Sequence, residues 1–120
     1  MACLEEKGFI PEPPPGKVDL IYLCSPNNPT GVVYSRRELE EIGKICLEKG
    51  IYIISDEVYE KFIYGGAVHY SMASFSSGLK DITITVNAVS KTYAMTGWRI
   101  GYCAGDEKII EQMVKIQGQS

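Results

Sequence analysis

Residues 19–31 read DLIYLCSPNNPTG, and they predict the first β-strand and the loop after it. The segment 19–24, in which a continuous apolar run follows Asp19, is typical of a β-strand that is covered on both faces. Two prolines, two asparagines and a glycine then force an irregular loop. The loop, residues 25–34, is ten residues long, whereas connections between strands and helices usually take about 2–6 residues. A long, stiffened loop at the carboxyl end of a strand favours a binding role.

A helix and a second strand follow the loop. Ser35 and Glu38 have the S-x-x-E spacing of a capping box, in which each side chain accepts a hydrogen bond from the other residue's free backbone N–H. The stripe predicted to be buried consists of Leu39, Ile42, Gly43 and Cys46. Gly50 predicts the end of the helix, and residues 51–54 predict a second buried strand. The order strand, helix, strand is a βαβ unit, so we expect parallel strands.

The remaining chain predicts two more strands and a final helix. Residues 82–86 alternate Ile and Thr, and residues 100–104 form a run bounded by glycine. Asp106 is expected to cap the final helix, whose apolar stripe is Ile109, Ile110, Met113 and Val114. The predicted fold class is therefore α/β, a parallel or mixed sheet with flanking helices. Residues 1–16 contain four prolines and predict a tail or linker, and residues 17–120 predict one domain.

The composition favours a globular domain and excludes several classes of function. Of the 120 residues, 45% are hydrophobic and 22% are charged, which argues against disorder. Twelve basic and fifteen acidic residues give a net charge of −3, so nucleic acid is not an expected partner. Apolar runs fall far short of the roughly 20 residues that span a bilayer, and the N-terminus lacks the pattern of a secretory signal. We expect no membrane association and a cytoplasmic location.

The cysteines and the single histidine do not suggest a metal site. Cys3, Cys24, Cys46 and Cys103 are widely spaced, without a CxxC pair. They are expected to be small buried residues with free thiols in a reducing compartment. His69 is expected on the surface or in a loop, without a functional role.

Polar side chains follow three of the predicted strands where each strand ends. Asn28 comes after the first strand, Asp56 after the second, and Ser90 and Lys91 after the third. Because the loops at the carboxyl ends of parallel strands converge on one crevice, we expect an amide, a carboxylate and an amine at one edge. Taken singly, these residues have ordinary interpretations as a turn former, a helix cap and a solvated charge. Their joint placement favours a binding site.

Four sequence elements, in order, resemble those of a known family. SPNNPTG (25–31), DEVY (56–59), Ser90–Lys91 and MTGWRIG (95–101) together resemble the class I/II aminotransferases of the fold type I, pyridoxal-phosphate-dependent group. The resemblance covers about residues 19–105 and is strongest to bacterial aspartate aminotransferases. It implies pyridoxal 5'-phosphate as cofactor and transfer of an amino group between an aspartate-like amino acid and a 2-oxo acid. It also implies a homodimer in the full-length enzyme.

The resemblance also implies roles for individual residues. Lys91 corresponds to the Schiff-base lysine, which would also act as general base and acid. Asp56 corresponds to the carboxylate that pairs with the pyridine nitrogen, where a negative charge keeps the nitrogen protonated. Asn28 and Tyr59 correspond to the donors to the ring's phenolic oxygen.

The phosphate ligands are partly retained. Arg99 corresponds to the family's phosphate-binding arginine, since a guanidinium can bind two phosphate oxygens at once. Ser90 is expected to add a hydroxyl. The family often has Ser or Thr three residues before the lysine, whereas this chain has Ala88. We therefore expect one phosphate contact fewer.

Complete members of the family are several times longer than this chain. Their upstream phosphate-binding loop, their ring-stacking aromatic residue and their downstream small domain have no counterpart in these 120 residues. Residues 17–120 are thus expected to form the central part of the large domain, as a fragment of a longer enzyme or a truncated gene product. Two alternatives remain: another fold type I enzyme, such as a lyase or decarboxylase, or a non-catalytic α/β fragment.

Overall fold

The computed structural model describes residues 16–119, so the predicted tail lies outside the described residues except for Gly16. The strands within this range are β1 (Leu20–Cys24), β2 (Tyr52–Asp56), β3 (Thr83–Ala88) and β4 (Gly101–Ala104). The helices are α1 (Arg36–Lys49), α2 (Ser77–Ile82), α3 (Val89–Thr92) and α4 (Glu107–Gln117). Short 3-10 turns occupy Met72–Ser74 and Thr96–Trp98.

The four strands form one mixed sheet in the order β1-β2-β3-β4. β1, β2 and β3 run parallel, and β4 pairs antiparallel with β3. The predicted α/β class and the parallel βαβ unit are confirmed. The register pairs Cys24 with Asp56 and Asp56 with Val86, so the carboxyl ends of the parallel strands lie level with one another.

Helix α1 begins and ends as its sequence predicts. Ser35 Oγ accepts a hydrogen bond from the Glu38 backbone N–H, and Glu38 Oε2 accepts one from the Ser35 backbone N–H at 2.7 Å. Gly50 ends the helix in the left-handed region, with φ of 65°, which glycine adopts without a Cβ clash. The four residues of the predicted stripe are the buried residues of α1.

The core lies between α1, α2 and one face of the sheet. Leu39 and Ile53 are almost completely buried there, together with Leu23 and Leu79. The opposite face of β1 is open, because Leu20 is 46% and Tyr22 is 63% exposed. The expectation that β1 is covered on both faces is therefore wrong for this chain. Successive strand residues point to opposite faces, and α1 covers only the face that carries Leu23.

The final helix is present, but its apolar stripe is only partly covered. Asp106 Oδ1 accepts hydrogen bonds from the backbone N–H groups of Lys108 and Ile109, at 3.0 and 3.3 Å, which confirms the predicted cap. Met113 is 39% and Val114 is 61% exposed. A cavity of about 720 Å³ lies between β4 and α4, so the stripe faces an open cleft rather than a packed core.

Two short helices were not predicted from the sequence. Helix α2 has six residues and α3 has four, too few for an apolar period of 3.6 to be recognised. Ser76 nevertheless caps α2, since its hydroxyl accepts a hydrogen bond from the Leu79 backbone N–H at 3.1 Å. This cap was the available sequence signal. Within residues 16–119, no helix is both long and apolar enough to cross a lipid bilayer.

The cysteines in the described range have free thiols, as predicted. Cys46 is buried, whereas Cys24 and Cys103 are only partly buried; Cys3 lies outside the described residues. Burial raises the pKa of the Cys46 thiol, which disfavours the reactive thiolate. Cys46 therefore acts as a core residue.

Truncating the centre of the α1 stripe is expected to destabilise the domain strongly. Leu39 is 1% exposed, and Leu39→Ala leaves a cavity that should lower the free energy of unfolding by about 3 kcal/mol. The matched control is Leu47→Ala, because Leu47 lies on the same helix and is 43% exposed; its expected cost is below about 1 kcal/mol. Denaturant unfolding measures both. Equal losses would contradict the assignment of the core.

Candidate functional site

The candidate site lies at the carboxyl edge of the three parallel strands. The strand ladder continues there through Ser25 N–H to Asp56 O at 3.2 Å and Glu57 N–H to Val86 O at 2.9 Å. The loop after β1, the end of β2 and helix α3 after β3 are consequently held next to one another. These are the three segments in which the sequence analysis placed polar site residues.

The loop after β1 folds around Asn27 and presents Asn28. The Asn27 backbone N–H donates to Val32 O at 2.9 Å, and the Gly31 N–H donates to Asn27 O at 2.8 Å. Asn27 Oδ1 also accepts the Thr30 hydroxyl at 2.8 Å. Gly31 has φ of 74°, which favours glycine. Asn27 thus closes the turn, and the amide of Asn28 is available for a contact outside the loop.

Asn28, Tyr59 and Lys91 meet in one cluster. Asn28 Nδ2 donates to Tyr59 Oη at 3.3 Å. Lys91 Nζ lies over the Tyr59 ring, 5.5 Å from its centroid, a cation–π distance. The edge-to-face contact of Tyr59 with Phe62 supports the ring from another side, with centroids 5.8 Å apart. The fold therefore brings Tyr59 into contact with Asn28, 31 positions earlier in the chain, and with Lys91, 32 positions later.

Asp56 ends β2 with its carboxylate held by two donors. Oδ1 accepts a hydrogen bond from the Val58 backbone N–H at 3.1 Å, and Oδ2 accepts one from the Tyr22 hydroxyl. Tyr22 does not stand out in the sequence, because it lies within an apolar strand segment. Its contact follows from the register: residues 22 and 24 share one strand face, and Cys24 pairs with Asp56.

Ser90 and Arg99 lie on segments that the antiparallel pairing brings together. Ser90 is half-buried in α3. The Val89 backbone N–H donates to Ile100 O at 3.2 Å, which places the residue after Arg99 against the start of α3. Arg99 itself is exposed, with φ of 53°, and its Nη1 donates to Thr96 O at 3.2 Å. The backbone thus brings Arg99 towards Ser90, while its guanidinium is bonded within its own turn.

Ala88 immediately precedes α3 and offers no hydroxyl. Its backbone N–H donates to Asn87 Oδ1 at 2.8 Å, and α3 has no side-chain cap. A Ser or Thr at this position would carry a hydroxyl at the start of α3. The expected loss of one phosphate contact therefore stays a prediction.

A buried network behind the site includes His69. Glu57 is 4% exposed, and its Oε1 accepts the hydroxyls of Ser55 and Ser71, both at 2.9 Å. Its Oε2 lies 3.2 Å from Nε2 of His69, whose side chain is 13% exposed. His69 lies in a loop, in agreement with the predicted surface or loop position, and its side chain is largely buried because the buried carboxylate requires polar partners. The network fixes the backbone next to Asp56.

The same two residues belong to the one described group with ligand atoms suited to a metal ion. Glu57, Glu60 and His69 each offer an atom within 4.8 Å of the other two. The oxygens of Glu57 already accept hydrogen bonds from two serines and contact His69. The contacts therefore describe a structural network.

The cavity next to the candidate cluster is small. It measures about 240 Å³, and Asn28, Tyr59, Phe62 and Tyr64 contribute to its lining. None of the candidate residues lines the larger cavity beside α4. The smaller cavity is therefore the candidate pocket, because Asn28 and Tyr59 line it.

The candidate residues offer an amine, a carboxylate, hydrogen-bond donors and a guanidinium. Lys91 offers an amine that can bond to a carbonyl carbon, and Asp56 offers a carboxylate that can accept an N–H. Asn28 and Tyr59 offer donors for an oxygen, and Arg99 offers a guanidinium for an anion. The structure brings Asn28, Tyr59 and Lys91 into contact.

Comparisons with known proteins agree with this fold and show the family to which the chain belongs. Residues 5–120 match the model of the family "Aminotransferase class I and II". Aspartate aminotransferase from Bacillus subtilis (strain 168) is 51% identical over 104 residues, 87% of this chain. The structure of aspartate aminotransferase from Thermus thermophilus with maleate matches 98% of the chain, with a TM-score of 0.85 and 38% identity. A PLP-bound aminotransferase structure from Clostridium difficile 630 matches 85% of it, with a TM-score of 0.81 and 36% identity.

The mixed sheet with its flanking helices defines a protein of the α/β class, and its polar strand ends form the candidate site. The chain belongs to the class I and II aminotransferase family. It spans about a quarter of the length of the relatives it matches: 26% of the Bacillus subtilis enzyme and 31% of the Thermus thermophilus chain.

Proposed function

We propose that this chain forms the pyridoxal-phosphate-binding centre of an aminotransferase. Its substrates would be an aspartate-like amino acid and a 2-oxo acid. Family membership supports the reaction class, and relatives named aspartate aminotransferase support the substrate class. The observation that carries the proposal is the cluster in which Lys91 Nζ lies over the ring of Tyr59 and Asn28 donates to the Tyr59 hydroxyl.

The chemistry of the donor set fits pyridoxal phosphate. The cofactor has an aldehyde, a phenolic oxygen, a pyridine nitrogen and a phosphate. The chain offers Lys91 for the aldehyde, and Asn28 and Tyr59 for the phenolic oxygen. Asp56 suits the pyridine nitrogen, and Arg99 suits the phosphate. Every functional group of the cofactor thus has a complementary side chain at this edge of the sheet.

Lys91 would hold the cofactor covalently and move the proton. When bound, pyridoxal phosphate supplies an electron sink for negative charge at the substrate's α-carbon. Once the amino group of an incoming amino acid has displaced it, the freed Lys91 amine, on a short helix at the end of β3, could take the α-proton as general base and return it as general acid. Tyr59 holds this amine at the site through its ring face.

Asp56, Asn28 and Tyr59 would orient the ring. Asp56 places a negative charge at the strand end, where it can accept the N–H of a protonated pyridine nitrogen. Asn28 and Tyr59 already bond to each other at 3.3 Å, so both donors lie within reach of one oxygen. These residues stand on strand ends or a braced loop, which fixes their relative positions.

Ser90 and Arg99 would bind the phosphate. The Arg99 guanidinium donates one Nη1 N–H to Thr96 O, and its other N–H donors could form an ion pair with two phosphate oxygens. Ser90 would contribute its hydroxyl from α3. Ala88 contributes no hydroxyl, so Ser90 and Arg99 would be the two side chains of this segment that bind the phosphate.

The place of the chain in the whole enzyme is also part of the proposal. Residues 17–120 would be the central part of the large domain, and the complete enzyme would be a cytoplasmic homodimer. The share of each relative that the chain spans supports a partial large domain. The open face of β1, with Leu20 and Tyr22 exposed, agrees with a sheet that further segments cover.

Titration of the purified chain with pyridoxal phosphate tests the proposed function. We expect a visible absorption band that saturates at one equivalent and survives gel filtration, because the amine and its supporting donors are already clustered. Free lysine at equal concentration is the control for random attachment. A band no stronger than that control, without saturation, would contradict the proposal and favour a non-catalytic α/β fragment.

A further inference from the structure

Tyr22 contacts the site although no motif includes it. Its hydroxyl donates to Oδ2 of Asp56 from the neighbouring strand. The register pairs Cys24 with Asp56, and Tyr22 lies two residues earlier on the same strand face. An aromatic side chain is long enough to reach a diagonal neighbour on an adjacent strand. The contact therefore joins two regular strands and does not depend on a loop.

The two hydrogen bonds of Asp56 leave room for a third donor. An ionised carboxylate has about four lone-pair sites. The Val58 N–H uses one on Oδ1, and the Tyr22 hydroxyl uses one on Oδ2. Held from both sides, the carboxylate has a fixed plane, while each oxygen retains a free lone pair. This is the arrangement that a carboxylate needs to receive one ring N–H in one orientation.

We propose that Tyr22 is a positioning residue that holds the Asp56 carboxylate in the orientation required by the pyridine nitrogen of the cofactor. The inference rests on the proposed function, because it assigns Tyr22 a part in binding the same cofactor. Tyr22 acts through Asp56 and has no role in proton transfer.

The ionisation of Tyr22 agrees with this contact. The hydrogen bond to Asp56, with smaller contributions from burial and from the nearby charges of Asp56 and Cys24, raises the pKa of Tyr22 to about 12. The ordinary value is 10.0. The folded state thus favours the neutral phenol, so this contribution to stability is complete below about pH 10 and is lost as the pH rises to about 12.

Tyr22→Phe tests the inference, with Tyr52→Phe as the matched control. Tyr22 is 63% exposed, so removing its hydroxyl should leave the fold intact. Tyr52 lies on the same open face and is 43% exposed. Affinity for pyridoxal phosphate is measured by titration of each purified chain. We expect Tyr22→Phe to bind the cofactor about tenfold more weakly, the size expected for one hydrogen bond to a charged group, and Tyr52→Phe to bind unchanged.

A second measurement examines the contact without cofactor. Alkaline titration of phenol absorbance should show one tyrosine ionising near pH 12 in the wild-type chain, and this step should disappear in Tyr22→Phe alone. If the wild-type chain fails to bind the cofactor, the proposed function fails and this inference falls with it. If the wild-type chain binds and Tyr22→Phe binds equally well or more tightly, only the positioning role of Tyr22 is overturned.

Discussion

Replacing Lys91 with alanine is expected to abolish covalent retention of pyridoxal phosphate by this chain. The variant loses the amine that bonds to the aldehyde carbon and the group that moves the α-proton. Proton transfer by a positioned side chain alone contributes about 10²–10⁴-fold to a rate, and loss of the covalent anchor adds to this. We therefore expect a fall in turnover of at least about 10⁴-fold in any active form that contains this segment. Absorbance after gel filtration measures the retention.

Two further variants test whether retention of the cofactor depends on the Lys91 amine itself, on a positive charge at this position, or on any exposed lysine. Lys91→Arg keeps a cation that can lie over the Tyr59 ring, but a guanidinium is a poor nucleophile because it stays protonated. It should fail to retain the cofactor, like Lys91→Ala. Lys44→Ala removes an exposed lysine of α1 that pairs with Glu48 at 3.9 Å, and it should behave as wild type. Full retention in Lys91→Ala would assign the cofactor to another amine.

Replacing Asp56 with asparagine is expected to have the next largest effect. Turnover can be measured in a chimera in which residues 17–119 replace the aligned segment of the Bacillus subtilis aspartate aminotransferase, which is 51% identical to this chain. The rest of that enzyme supplies the segments that this chain does not contain. We expect the wild-type chimera to transaminate aspartate and Asp56→Asn to do so about 10³-fold more slowly, because the amide provides no negative charge to keep the pyridine nitrogen protonated.

Asp56→Asn preserves the shape of the side chain, so a loss of rate can be attributed to the loss of the negative charge. Asparagine keeps one oxygen for the Tyr22 hydroxyl or the Val58 N–H, so the loss of stability should be small beside the loss of rate. Asp81→Asn is the control, since Asp81 is an exposed carboxylate at the end of α2. Thermal unfolding of all three chimeras checks the fold. A rate within tenfold of the wild-type chimera would remove Asp56 from the proposed site.

Much of the fold could be predicted because the decisive signals are local. Ser35, Glu38 and Gly50 specify the limits of α1 through hydrogen bonds within a few residues. Continuous apolar runs predict β1 and β2, and the intervening helix predicts their parallel pairing. The coverage of each sheet face could not be predicted in this way. It depends on what packs against the sheet, and in this chain Tyr22 stays 63% exposed.

The candidate site was predictable at its strand ends but not in its supporting contacts. Asn28, Asp56 and Lys91 stand out because polar residues end apolar strands. Tyr22 does not stand out, because its contact with Asp56 depends on the register between two strands. His69 does not stand out, because its contact with the buried Glu57 carboxylate depends on how the intervening loop folds. Such contacts carry no periodic signal. They are found only when the register is known.

Peptide mass mapping after borohydride reduction identifies the residue that holds the cofactor. Borohydride makes the bond between the cofactor and its amine permanent, so the labelled peptide identifies the residue. We expect the label on Lys91 at about one equivalent per chain, with little on Lys44, Lys49 or Lys80. An even spread of label over these lysines would contradict a binding site built around Lys91.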